Sequence, residues 1–98
     1  MELTSKQRQY LKGLAHHIKP CVQIGGNGVS SALVQKTAVE LENHELIKVK
    51  IGDGPMKAKE AAPILAEHTG AAVVQVIGKT IVLYLPREKK PDIKLPKA

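Results

Sequence analysis

Three glycines in four positions, Gly25, Gly26 and Gly28 around Asn27, separate an alternating apolar run from a stretch with helical spacing. The run Cys21-Val22-Gln23-Ile24 alternates as a short strand does, and the helical period begins at Val29 and holds through Leu41. A glycine turn between a strand and a helix can leave backbone N–H groups pointing outward at the helix start. There the positive end of the helix dipole adds to them, and the combination suits a phosphate. Glycine also lets a polyanion approach the backbone, because no Cβ stands in the way. The same residues fit a plain strand-to-helix turn, which needs one or two glycines rather than three. Residue types alone leave both readings open.

Fifteen Lys and Arg against nine acids give the 98-residue chain a net charge of +6. Such a field favours polyanions, whether RNA, DNA or an anionic membrane surface, although it also serves solubility. The candidate cations fall in groups. Arg8, Lys12 and Lys19 share one side of a first helical stretch, Lys48 and Lys50 share one face of a strand, and Lys79 sits at a hairpin tip. There is no Phe or Trp, and Tyr10 and Tyr84 are the only aromatics. Single-strand binders that stack bases use several rings, so contacts with phosphate and shape are expected to dominate.

Catalytic signatures fail on spacing. Gly78-Lys79-Thr80 resembles the end of a P-loop, but the glycine needed five positions earlier is Val73. Gly26-Asn27-Gly28 opens a dinucleotide fingerprint whose third glycine is replaced by Ser31. His16, His17, His44 and His68 lack partners at metal-ligand spacing. Cys21, Ser30 and Ser31 have no base recognisable in sequence. The reading is therefore a non-enzyme, with no catalytic residue, metal or cofactor.

The elements that must position these groups follow from pattern. Thr4 or Ser5 caps a first helix, with Gln7 placed for a capping box, and Pro20 ends it. The strand, the glycine loop and a second helix follow, and Leu46–Ile51 reads as a strand with Ile47, Val49 and Ile51 on one face. Lys48 and Lys50 fall on the other face, away from the helices. A third helix runs from about Met56 to His68, with Pro63 outward and Gly70 as its C-cap. Ala72–Ile77 and Thr80–Leu85 form a hairpin about Gly78-Lys79, a type II′ turn. Its register places Val74, Val76, Ile81, Leu83 and Leu85 on the core face and Val73, Gln75, Val82 and Tyr84 on the opposite one. The fold class is α/β (α+β mixed), a single domain ordered α-β-α-β-α-β-β. A four-stranded mixed sheet carries its helices mainly on one face. Residues 1–86 form the domain and residues 87–98 a basic, proline-containing tail whose Ile93 and Leu95 can dock onto the domain. The N-terminus has no signal-peptide core and the chain has one cysteine, so a cytoplasmic protein is expected.

Several segments together resemble a known family. Leu11-Lys12-Gly13-Leu14-Ala15-His16, Gly25-Gly26-Asn27-Gly28, His44-Glu45-Leu46-Ile47-Lys48-Val49-Lys50 and Val76-Ile77-Gly78-Lys79-Thr80 look like the bacterial YhbY family. These are stand-alone CRM domains, named for chloroplast RNA splicing and ribosome maturation. The resemblance implies a fold similar to the C-terminal domain of bacterial translation initiation factor three. It also implies RNA as partner, in precursors of the large ribosomal subunit, and a G-x-x-G loop likened to that of KH domains. Arg8, Lys12, Lys48 and Lys50 are candidates for the basic surface beside the loop. Leu85 and Gly52-Asp53-Gly54-Pro55 depart from the pattern, which expects charged residues there. A monomer without membrane or small-molecule partner is expected. Two other classes compete: a small nucleotide-binding protein or enzyme using the glycine loop, and a module docking on ribosomal proteins.

Overall fold

The computed structural model describes every residue except Met1, Asn27, Asp53, Pro55 and Ala98. Helix α1 (Ser5–Ala15) starts where the sequence supplies a cap. The Thr4 hydroxyl accepts from the Gln7 amide and the Gln7 side-chain oxygen accepts from the Thr4 amide, each at 3.1 Å. Both amides would otherwise lack a partner at the helix start. Then come β1 (Val22–Ile24), α2 (Ser31–His44), β2 (Leu46–Ile51), α3 (Ala58–Thr69), β3 (Ala72–Ile77) and β4 (Thr80–Tyr84), in the expected order. Pro63 lies inside α3 on its exposed side, and Gly70 ends that helix with φ 81°. Gly78 carries φ 54° in the two-residue turn joining Ile77 to Thr80, as a type II′ turn requires at its first central position.

The sheet runs β1-β2-β4-β3, with β1 parallel to β2 and the other pairs antiparallel. Helices α2 and α3 share one face, where Leu41, Ala61 and Leu65 pack on Ile47, Val49 and Leu83. Helix α1 takes the other, with Leu11 and Ala15 on Leu46, Val74, Val82 and Tyr84. Two of the three helices thus share one face, as expected, while α1 covers part of the other, and Tyr84, expected opposite the core, is only 1% exposed beneath α1. Burial first, then the Glu45 carboxylate, pushes its phenol up. A register shift between Val73 and Gln75 corrects a second expectation. Val73 packs on the α2–α3 side and Val74 under α1, the reverse of strict alternation. One extra residue in a period-two strand exchanges the faces on either side of it.

The chain after β4 is tied down chiefly through the Glu45 side chain. Glu45 ends α2 with φ 62° and is fully buried. Its carboxylate accepts from the backbone amides of Arg87 at 2.8 Å, Asp92 at 2.6 Å and Ile93 at 2.9 Å. Its own carbonyl accepts from the Leu85 amide at 2.8 Å. Ile93 and Leu95 pack beside α1, and the Gln7 side-chain amide donates to the Pro96 carbonyl at 3.1 Å.

Candidate functional site

Parallel pairing of β1 with β2 puts the turns that follow them at one end of the sheet. Antiparallel pairing of β4 with β2 brings the hairpin tip there as well. Hydrogen bonds join the three. The Gly52 amide donates to the Ile24 carbonyl at 2.8 Å, and the Ile51 amide donates to the Lys79 carbonyl at 2.8 Å. Within the glycine turn the Gly28 amide donates to the Gly25 carbonyl at 3.1 Å. Asn27 lies outside the described residues. Helix α2 begins two residues beyond Val29, capped by the Ser30 hydroxyl, which accepts from the Leu33 amide at 3.2 Å. No acid occupies its first turn, so the positive end of its dipole is left uncompensated beside the loop.

The glycines of the loop differ in what requires them. Gly28 has φ 69°, a conformation that costs an L-residue roughly 1–2 kcal/mol. Gly25 and Gly26 are exposed, neither has φ in the left-handed region, and a Cβ on either would meet nothing within 4 Å among the described residues. Among the described residues, neither a left-handed φ nor packing calls for glycine at these two positions.

The cations separate into two sets. Lys48 and Lys50 lie on the α1 face of β2, about 7 Å apart along the strand. Lys48 is half-buried and shares a shallow hollow with Lys12, His16, Gln75 and Thr80, where the last turn of α1 stops short of covering the sheet. Lys50 is exposed, pairs across to Gln23 of β1, and so lies nearer the glycine loop. Lys12, Lys48 and Lys50 thus mark the open half of that face, and Lys79 the end where the loops meet. Lys19, grouped with Arg8 and Lys12 by helical spacing, does not belong with them. The helix stops at Ala15, so Lys19 instead lines a groove along β1 with Lys36 and Lys50. Lys36 in that groove was missed, because helical spacing shows only that it lies away from the core.

Arg8 points elsewhere. Its guanidinium Nη1 donates to the carbonyls of Val73 and, at 3.0 Å, Val74, at the bulge and remote from the hairpin tip. It holds carbonyls that the irregular ladder leaves over. Arg8→Ala is expected to cost about 1.5–3 kcal/mol in urea unfolding, the range for hydrogen bonds to a charged group.

Cys21 is half-buried beside Lys19 and Lys50. Burial first, then the Glu40 carboxylate, pushes its thiol up, which keeps it protonated and a weak nucleophile at neutral pH. Among the described residues no three His, Cys, Asp or Glu side chains converge as metal ligands would.

A three-helix, four-stranded mixed sheet with a glycine turn leading into α2 is the architecture of the CRM domain. Residues 3–84 match the sequence profile of the CRS1 / YhbY (CRM) domain, and the chain belongs to that family. It is 43% identical over 96 residues to a Haemophilus influenzae protein named RNA-binding protein, covering 97% of this chain and 96% of that one. It is 38% identical to the Bacillus subtilis "Probable RNA-binding protein YqeI", covering 96% and 99% of the two chains. The solution structure of the hypothetical protein SAV1595 from Staphylococcus aureus superposes with a TM-score of 0.83 at 42% identity. That match covers 97% of this chain and all of the other.

Proposed function

We propose that this protein binds RNA in precursors of the large ribosomal subunit and assists their assembly in the cytoplasm, as a monomer and without catalysing a reaction. The observation that carries the reading is the pair Gly25 and Gly26, glycines at exposed positions where a Cβ would meet nothing within 4 Å among the described residues. RNA backbone seated there meets the amides of the turn and the start of α2, where a phosphate is favoured by both hydrogen bonding and the dipole. Lys12, Lys48, Lys50 and Lys79 neutralise neighbouring phosphates along the open half of the sheet. The RNA-binding names of the relatives support RNA as the ligand, and the resemblance to YhbY proteins supports a ribosomal precursor.

Lys48→Ala and Lys50→Ala are each expected to weaken RNA binding and to lower the slope of log affinity against log salt by about 0.7–0.9, one phosphate contact apiece. Fluorescence anisotropy over a salt series reads both quantities. The cellular reading is tested by crosslinking followed by sequencing of the attached RNA, with gradients of the same lysate. Reads concentrated in large-subunit precursor RNA are expected. A protein found only at the top of a low-salt gradient overturns the assembly role.

A further inference from the structure

Next to the glycine loop, the turn after β2 and the β3–β4 hairpin enclose an open cleft of about 530 Å³. Its apolar lining is Ile51, Met56 and Val76, and its cations are Lys57, Lys59 and Lys79. Lys57 and Lys59 are exposed at the start of α3, while Met56 is half-buried between the cleft and the loop. The Met56 methyl lies 3.5 Å from the point a Cβ on Gly28 would occupy, so one residue forms a wall common to both. Gly54 abuts Gly26 on the same side.

We propose that this cleft receives one unstacked RNA base, adjacent to the phosphate held by Gly25–Gly28; the inference rests on the RNA-binding reading above. The volume falls in the range of small-ligand pockets. An apolar floor under a cationic rim matches a nucleotide, whose base has two apolar faces and whose phosphate is anionic. Met56 and Val76 are only partly buried at the edge of the core and leave apolar surface in the cleft that a phosphate alone would not fill. No aromatic ring lines the cleft, so the base packs against aliphatic carbon and the Met56 thioether, a polarizable group that is favourable against aromatic systems. This adds one base contact to the expectation, drawn from the scarcity of Tyr, Phe and Trp, that contacts with phosphate and shape dominate. A base inside a duplex cannot reach the cleft, so strands, bulges and loops are preferred over A-form helix.

The test uses full-length protein and three short RNA probes of one length at low salt: a single strand, its duplex, and the single strand with abasic positions. Wild type is expected to bind the single strand about tenfold more tightly than the abasic strand, the effect of one packed base. Val76→Phe, a good strand former that fills the cleft, should remove that preference while retaining the affinity for the abasic strand. Equal wild-type affinity for the intact and abasic strands overturns the cleft and leaves the phosphate grip standing. Failure to bind any of the three probes overturns the RNA-binding reading, and the cleft with it. A Val76→Phe protein that keeps the preference overturns the location. Should that variant fail to fold by circular dichroism, Lys59→Glu on the exposed rim replaces it, with loss of affinity for the intact strand expected and an unchanged affinity counting against the cleft.

Discussion

Replacing Gly25 and Gly26 together by aspartate is expected to lower RNA affinity about a hundredfold or more without moving the urea midpoint. The stability half of this result follows from space. Among the described residues a Cβ at either position meets nothing within 4 Å, both residues are exposed, and neither has a left-handed φ. Aspartate is moreover at home in turns. The binding half follows from charge. Each carboxylate opposes phosphate at a few ångströms in a partly desolvated contact, worth about 1–4 kcal/mol of repulsion. Two of them sum to about 2–8 kcal/mol, a range whose greater part lies above the roughly 2.7 kcal/mol of a hundredfold. Gly28→Ala is the contrasting control. It places a Cβ at φ 69° and is expected to lose roughly 1–2 kcal/mol of stability, with a smaller effect on affinity. Anisotropy and urea unfolding on the same samples separate the two quantities. A folded Gly25→Asp/Gly26→Asp protein with wild-type affinity would remove the loop from the interface.

The second large effect concerns Glu45. Glu45→Ala is expected to cost about 3–5 kcal/mol, since it leaves three backbone amides without their common acceptor in a buried position. For a chain of this size each kcal/mol moves the thermal midpoint by roughly 4–8 °C, so the midpoint should fall by about 12–40 °C. Glu45→Gly relieves the positive φ but still removes the carboxylate, and should remain strongly destabilised. Hydrogen exchange gives a residue-level readout, because the amides of Arg87, Asp92 and Ile93 should lose protection first. If they exchange at the wild-type rate in Glu45→Ala, the carboxylate is not what holds the C-terminal segment. Ile93 and Leu95 cover part of the α1 face, so their release would also expose Leu46 and Tyr84.

The element order was legible because it rests on short-range chemistry. Thr4 with Gln7, Gly70 and Gly78 each act on neighbours within four residues, and the structure uses each of them as cap or turn. The alternation of Leu46–Ile51 likewise assigned Ile47, Val49 and Ile51 to the buried side without any knowledge of their partners. What failed was extrapolation of a period past its element. Helical spacing grouped Lys19 with Arg8 and Lys12, but the helix stops at Ala15. Strict alternation placed Val73 and Val74 on the wrong faces, because a bulge cannot be seen in a run of valines.

The sequence by itself determined that Gly25-Gly26-Asn27-Gly28 joins a strand to a helix, that basic residues outnumber acids, and that the family is CRM. Local propensity, composition and motif suffice for these. Tertiary structure decided which lysines share a surface, that Arg8 is spent on the β3 bulge, and that Glu45 is a buried anchor rather than a surface acid. It also formed the cleft beside the loop, from turns separated by more than twenty residues. The physical reason is the same throughout. Strand order and the placement of α1 depend on which apolar faces meet, and no segment carries that information alone.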